Sequence, residues 1–281
     1  MHRSPLRTPR RAVLGGMLAL AGARFAAAAT EAGLAPEIAR ILERRRLIVA
    51  VLDDAAPPFL DRAADGALTG TDIALAQDMA AALGVALALD PRVDGVDGVI
   101  RRVMSRDADL GLAGIAVDLD RAQRVRFSRP YTMLQQALLV NRARFAQDPG
   151  TDPVAALNRP DAVIALRGDR PDAAIRLQLP QAMLRRFPRW EPDMVEAVLR
   201  GDVAAALGDE VEIGRALSAT PDAPLRLRAI TIGALRQPIA AALPWDSVQL
   251  AAWVDLYLER AGAPLPIDQL IRVYGPAKDH N

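Results

Sequence analysis

The strongest constraint on the fold is the order of the apolar segments in the first part of the chain. Residues 47–52 form a continuous apolar run, which is typical of a strand buried in a parallel sheet. Residues 73–83 then place their apolar side chains on one helical face. Strand-like segments 85–89 and 109–116 enclose a second helical segment, 96–105. This β-α-β-α-β order predicts a parallel sheet with helices on both faces.

The second part of the chain repeats this alternation. The predicted elements are, in chain order, a strand at 162–166, a helix at 171–179, a helix at 194–200 and a strand at 203–207. A strand at 239–243 and a helix at 250–260 follow them. Ligands of such sheets bind beyond the carboxyl ends of the strands. The loops at 53–59 and 114–121 are therefore expected to border a binding site.

Cysteine and histidine are almost absent, which excludes several classes of function. The chain has no cysteine, and its two histidines, His2 and His280, lie near the ends. Disulfides, thiolate catalysis, a Ser-His-Asp triad and a zinc site are thereby excluded. We expect no catalytic residues, no metal and no cofactor. The net charge of +1 and the lack of a basic patch argue against nucleic acid as a partner.

Residues 1–29 have the composition of an export signal. A start with several arginines precedes a short apolar run, and Ala28 and Ala29 lie at a plausible cleavage site. The adjacent Arg10 and Arg11 fit a twin-arginine signal, while a Sec signal stays an open alternative. The segment holds five arginines and no acid, so the mature chain is acidic. We expect a periplasmic protein without a lipid anchor, since no cysteine is present to carry one.

Two motifs carry a family resemblance. Residues 70–73 read Gly-Thr-Asp-Ile, with Thr71 or Asp72 in position to cap a helix, and residues 120–131 read Asp-Arg-Ala-Gln-Arg-Val-Arg-Phe-Ser-Arg-Pro-Tyr. The pair resembles periplasmic solute-binding protein family 3, the substrate-binding proteins of polar amino-acid ABC transporters. In that family a G-[FY]-D-[IV]-D-L-A helix is followed by a T-P-E-R…F-S-D-P-Y segment.

The resemblance implies a two-lobed periplasmic-binding-protein fold, the Venus flytrap. Each lobe would be an α/β unit with a mostly parallel sheet, and two hinge strands would join them. The chain divides into a signal peptide (1–29), lobe one (30–135 plus 236–281) and lobe two (136–235), with crossings near 133–139 and 234–239. Such lobes close on a ligand by hinge motion.

The resemblance also implies a clamp for an α-amino acid. Arg121 matches the family arginine that grips the α-carboxylate, and Asp209 matches the aspartate that binds the ammonium. A guanidinium fork suits two carboxylate oxygens. Structural alternatives remain open for both residues: Arg121 fits the first turn of a helix capped by Asp118, and Asp209 with Glu212 has the spacing of a capping box.

Further ligand contacts follow from the same match. Gly114 and Ala116 fall where backbone groups meet the ligand, and Ala56 and Val96 replace an aromatic residue and its partner. Asp53 matches an acidic residue that contacts the side chain in binders of basic amino acids, although it also fits a simple turn.

The lobe-two loop departs from the family pattern. Asp169 replaces a threonine of the family's G-T-T loop, and Arg170 follows it. Both are candidate ligand contacts, and the alternative for Asp169 is an N-cap of the helix that begins at Pro171.

These features predict a non-enzymatic receptor that captures an amino acid or similar small zwitterion for an ABC importer, with a permease in the inner membrane as partner. An accessory or sensor protein of the same fold, which transports no solute, is the main alternative. A cyclohexadienyl-dehydratase-like enzyme, with Glu210 or Asp169 as the acid, is a further alternative.

Overall fold

Two five-stranded sheets, each covered by helices, organise the chain. The structure is a computed structural model that describes residues 33–145, 152–168, 173–219 and 221–275. The predicted signal at 1–29 and the candidates Asp169 and Arg170 lie outside the described residues.

The strands and helices follow the predicted alternation. The strands are β1 (Arg46–Ala50), β2 (Asp61–Arg62), β3 (Leu68–Thr69), β4 (Ala86–Asp90), β5 (Leu110–Gly111), β6 (Val125–Phe127), β7 (Thr132–Asn141), β8 (Val163–Arg167), β9 (Met183–Phe187), β10 (Ala205–Asp209), β11 (Leu227–Ile239) and β12 (Ala242–Pro244). The α-helices are α1 (Pro36–Glu43), α2 (Thr71–Ala82), α3 (Gly95–Met104), α4 (Leu119–Ala122), α5 (Ala173–Gln178), α6 (Val195–Arg200), α7 (Glu210–Ser218), α8 (Ala223–Arg226), α9 (Val248–Arg260) and α10 (Ile267–Tyr274). A 3₁₀ turn (Ala155–Leu157) and a π-helical turn (Trp190–Met194) complete the described elements.

Both sheets are mixed rather than mostly parallel. The first has the order β4-β1-β5-β12-β6, and β1 runs parallel to β4 and β5 while β12 is antiparallel to β5 and β6. The second has the order β11-β7-β10-β8-β9, with β8 parallel to β9 and β10, and β7 antiparallel to β10 and β11. We call the first sheet with its helices lobe one and the second lobe two.

Two predicted strands are shorter than their apolar runs. The run at 109–116 gives only β5, because the chain turns at Gly114, where φ is +57°. The run at 239–243 is divided between β11 and β12 at Ala240 and Ala241. There the chain passes from the second sheet to the first.

The long strands β7 and β11 run side by side and connect the lobes. Their pairing extends from Thr132 opposite Ile239 to Asn141 opposite Leu227, with a register shift between Thr231 and Arg236. The predicted crossings at 133–139 and 234–239 fall in these strands. The lobe boundaries assigned from the sequence stay a prediction.

Each sheet buries both faces. In lobe one, one apolar cluster packs α2, α9 and α10 against the sheet, and another packs α3 on the opposite face. In lobe two, one cluster includes Ile175 of α5, and the other is built around Trp190 and Met194. Burial on both faces explains the uninterrupted apolar runs of the central strands. No helix in the described part of the chain is long and apolar enough to span a bilayer.

Gly70, which precedes α2, provides a test of the local packing. Its φ is +115°, and an added Cβ would lie 2.5 Å from the carbonyl oxygen of Phe59. We expect Gly70→Ala to lower the free energy of unfolding by about 2–4 kcal/mol, from backbone strain and overpacking, measured by urea denaturation. Gly66→Ala is the control, because Gly66 has a φ of +85° and open space around its Cβ position; it should cost only about 1 kcal/mol. Equal losses of unfolding free energy in the two variants would contradict the predicted clash between the Cβ added at Gly70 and the Phe59 backbone.

Candidate functional site

A cavity of about 260 Å³ lies between the lobes. Two parallel strands of each sheet end at this cavity. In lobe one, Leu52 and Ala113 follow the carboxyl ends of β1 and β5, and in lobe two, Arg167 and Asp209 are the last residues of β8 and β10. This is the location at which open α/β sheets bind ligands. Its apolar wall includes Leu52, Ala56, Pro57, Phe59, Val96 and Ala113, and its polar wall includes Arg121, Arg167, Asp209, Glu212, Arg215 and Gln237.

Most of the candidates named from the sequence meet at this cavity. Arg121, Asp209, Gly114, Ala116, Ala56 and Val96 all line it. They come from both lobes, and the structure brings them together across the gap between the sheets. Their contact with a ligand stays a prediction.

Asp53 is not among the residues that line the cavity. Its side chain is 65% exposed and accepts a hydrogen bond from Arg62 at 3.1 Å. Asp53 therefore has a partner outside the cavity, and its contact with a ligand stays a prediction.

Arg121 is buried beside two carboxylates. Asp118 caps α4 by accepting a hydrogen bond from the backbone N–H of Arg121 at 2.8 Å. The Asp118 Oδ2 atom also lies 3.1 Å from Nη1 of Arg121, and the Asp97 Oδ1 atom lies 3.6 Å from its Nε. The capped-helix alternative thus describes the local structure, and the same guanidinium reaches the cavity. Asp118 orients the arginine and offsets its charge.

Asp209 begins α7 in a reciprocal capping box. Its Oδ1 atom accepts hydrogen bonds from the backbone of Val211 at 3.1 Å and of Glu212 at 2.8 Å. The Oε2 atom of Glu212 accepts from the backbone N–H of Asp209 at 3.1 Å. The predicted capping box is therefore present, and Asp209 lines the cavity as well.

Gly114 is held in place by a buried carboxylate. The backbone N–H of Gly114 donates to Oδ2 of Asp72 at 2.8 Å, and the Tyr131 hydroxyl donates to Oδ1 at 2.9 Å. Burial raises the pKa of Asp72 to about 7 and that of Tyr131 above its usual range. Asp72 was read from the sequence as a possible helix cap, but Gly70 is the N-cap residue of α2, without a side-chain cap bond.

Several cavity residues were missed by the sequence interpretation. Arg167 pairs with Oε1 of Glu212, Arg215 lies one turn beyond Glu212 on α7, and Gln237 donates to the Val117 carbonyl oxygen at 3.1 Å. The signal for Arg167 was available, because it follows a strand that the sequence predicts. Arg215 has the i, i+3 spacing from Glu212 that puts two residues on one helical face.

The cavity has the chemistry of a binding site for a small charged molecule. Lobe one contributes the cation Arg121, and lobe two contributes two cations, Arg167 and Arg215, and two carboxylates, Asp209 and Glu212. An apolar wall lies beside them. The described residues contain no cluster of three or more side chains suited to hold a metal ion.

A cleft of this kind, between two α/β lobes joined by two strands, defines a two-lobed solute-binding protein. The chain belongs to the bacterial extracellular solute-binding proteins, family 3, whose family model matches residues 47–272. The family inferred from the two sequence motifs is therefore confirmed.

One curated relative matches part of the chain. The L-cystine-binding protein TcyJ of Escherichia coli strain K12 is 32% identical over 103 residues. The match covers 37% of this chain and 38% of the relative. The chain thus spans well under half the length of the curated relative it matches.

Solved structures share the fold over most of the chain. The substrate-binding protein AbpA of an amino-acid ABC transporter from Streptococcus pneumoniae, bound to L-arginine, is 26% identical with a TM-score of 0.61, covering 84% of this chain and 96% of that one. A putative ABC-transporter binding component from Wolinella succinogenes, complexed with lysine, is 22% identical with a TM-score of 0.65, covering 84% and 98%. An ancestral amino-acid-binding protein, a precursor of cyclohexadienyl dehydratase, is 24% identical with a TM-score of 0.63, covering 86% and 100%. The predicted Venus-flytrap fold is confirmed.

The buried Asp72 carboxylate generates a pH prediction. Burial raises the pKa of Asp72 from its ordinary value of 3.8 to about 7, so the folded state holds an extra proton between these pH values. The contribution of Asp72 to the free energy of unfolding is therefore fully present below about pH 4. It is lost as the pH rises to 7, and the loss reaches up to ~4 kcal/mol. Asp72→Asn removes this dependence, so wild type should lose unfolding free energy relative to the variant, by up to ~4 kcal/mol, as the pH rises over that range.

Urea denaturation at several pH values between 4 and 8 measures this difference. Asp78→Asn is the matched control, since Asp78 is an exposed carboxylate on the same helix, and it should follow the wild-type curve. A difference between wild type and Asp72→Asn that stays constant with pH would contradict the prediction.

Proposed function

We propose that the protein is an extracytoplasmic receptor that binds an amino acid or similar small zwitterion and delivers it to an ABC importer. One observation carries the proposal: Arg121 of lobe one and Asp209 of lobe two line the same cavity. An α-amino acid presents a carboxylate and an ammonium on neighbouring atoms. The arginine binds the first and the aspartate binds the second, so one ligand bridges the two lobes.

The charges make lobe closure conditional on a ligand. Closure removes water from the cavity, and a charge left there without its partner costs about 3–5 kcal/mol. A zwitterion supplies an opposite charge to each lobe at once. Arg121 holds the carboxylate on lobe one, and closure then brings Asp209 to the ammonium.

The relatives support an amino acid as the ligand class. The similar proteins bind L-cystine, L-arginine and lysine. All three contain the carboxylate and ammonium that Arg121 and Asp209 would bind. Export through the segment 1–29 and a permease in the inner membrane belong to the same proposal, in keeping with a family described as extracellular.

No observation in the described residues favours the enzymatic alternative. Glu210, a candidate acid for a dehydratase, is not among the residues that line the cavity, and its Oε1 atom accepts a hydrogen bond from the backbone N–H of Gln135 at 2.8 Å. Asp169, the other candidate acid, lies outside the described residues. A receptor that binds its ligand without catalysing a reaction accounts for the residues that line the cavity.

Thermal denaturation of the purified protein with each of the common amino acids tests the function. Reversible unfolding first removes any co-purified ligand. A ligand at about 100 times its Kd should stabilise the protein by about 2.7 kcal/mol and raise its Tm. No shift with any amino acid would contradict the proposed function.

Variants of the two clamp residues test their roles with the ligand found in this way. Asp209→Asn keeps a good N-cap residue but removes the charge, and Arg121→Gln removes the guanidinium. Each should weaken binding by roughly 30-fold or more, as expected for truncating one partner of a buried charge pair, measured by calorimetry. Arg62→Gln is the control, because Arg62 pairs with Asp53 outside the cavity.

The double variant Arg121→Gln with Asp118→Asn separates binding from folding. It removes the guanidinium together with the carboxylate that would be left beside it, so a loss of stability in the single variant does not obscure the result. Wild-type affinity in the folded double variant would show that Arg121 does not bind the ligand.

A further inference from the structure

Arg215 differs from the other arginines of the cavity in that no residue of the described ranges bonds to it. Arg121 lies against Asp118, and Arg167 is paired with Glu212. Arg215 is exposed, lines the cavity and makes no hydrogen bond or ion pair with any residue of the described ranges. It is thus a cationic group of the cavity that no side chain in the described ranges neutralises.

The carboxylates near the cavity are committed to other contacts. Both oxygens of Glu212 are used, one by Arg167 and one by the backbone N–H of Asp209. Asp53, the acidic residue expected to contact a cationic side chain, pairs with Arg62 outside the cavity. Among the described residues that line the cavity, Asp209 is assigned to the ammonium and Glu212 pairs with Arg167, so they offer no further carboxylate to the side-chain charge of a lysine or arginine ligand.

From this arrangement, and resting on the proposed function, we propose that the ligand is an acidic amino acid and that Arg215 determines specificity by binding its side-chain carboxylate. Asp209 and Arg215 are the N-cap and the sixth residue of α7, about 9 Å apart along the helix axis. Helical side chains lean toward the N-terminus. Both side chains line the cavity, so a carboxylate bound by Arg215 and an ammonium bound by Asp209 would occupy the same space.

Closure would strengthen this discrimination. A guanidinium binds a carboxylate through two parallel hydrogen bonds, and the pair gains strength when water is excluded. A ligand with an uncharged side chain leaves Arg215 without that partner in the closed cleft. The amide of the same length has nearly the same shape, so the comparison between acid and amide isolates the charge.

Calorimetric titration of the purified, ligand-free protein with L-glutamate, L-aspartate, L-glutamine, L-asparagine, L-lysine and L-arginine tests the proposal. Wild type should bind glutamate or aspartate at least tenfold more tightly than the matched amide and than lysine or arginine. Arg215→Gln should bring the acid-to-amide ratio to about 1 while changing the amide affinity less than threefold. Arg215→Lys should restore part of the preference.

Arg272→Gln is the control, since Arg272 is an exposed arginine that pairs with Asp268 on α10, and it should keep the wild-type ratio. Preference of the wild type for neutral or cationic amino acids, or an unchanged ratio in Arg215→Gln, would overturn this inference and leave the proposed function intact. Failure to bind any amino acid would instead overturn the proposed function and this inference with it.

Discussion

The buried carboxylate of Asp72 is the constraint on which the binding side of lobe one depends. A carboxyl group cut off from water is costly unless its oxygens accept hydrogen bonds. Here one oxygen accepts from Gly114 and the other from Tyr131. The carboxylate therefore joins α2, the turn after β5 and the residue that precedes β7. The two motifs that carry the family resemblance meet at this point, so the same contacts stabilise the lobe and position the backbone that lines the cavity.

The charged groups of the cavity are partly neutralised within each lobe. Asp118 offsets Arg121 in lobe one, and Glu212 offsets Arg167 in lobe two. This arrangement lets each lobe face water without a ligand, because the buried charges already have partners. It also means that a ligand must compete with internal carboxylates at Arg121. Under the proposed function, affinity would then depend on the groups that closure adds, and Asp209 and Arg215 of lobe two line the same cavity.

The sequence predicts the fold well because the pattern of apolar residues is local. Strands buried on both sheet faces appear as continuous apolar runs, and the helices between them are recognised by the helical spacing of their apolar residues. The lengths of β5 and β12 could not be predicted in this way. The chain leaves the first sheet at Gly114 and crosses between sheets at Ala240 and Ala241, and these turns depend on tertiary contacts rather than on hydrophobicity. Asp72 was misread for a similar reason, since an acid near a helix start can cap the helix or point into the core.

The site was predictable only where a motif fixed the position of a residue relative to a strand end. Six candidates, Arg121 and Asp209 among them, line the cavity for that reason, whereas Asp53 lies on a loop whose direction is set by its contact with Arg62. Arg121 and Arg215 cannot be told apart by residue type. They differ in the partners that the fold gives them: Asp118 lies against the first, and no described residue bonds the second. If Arg215 sets specificity as proposed, ligand choice within the family would change through a residue outside the family motifs, while the clamp for the α-amino acid group stays the same.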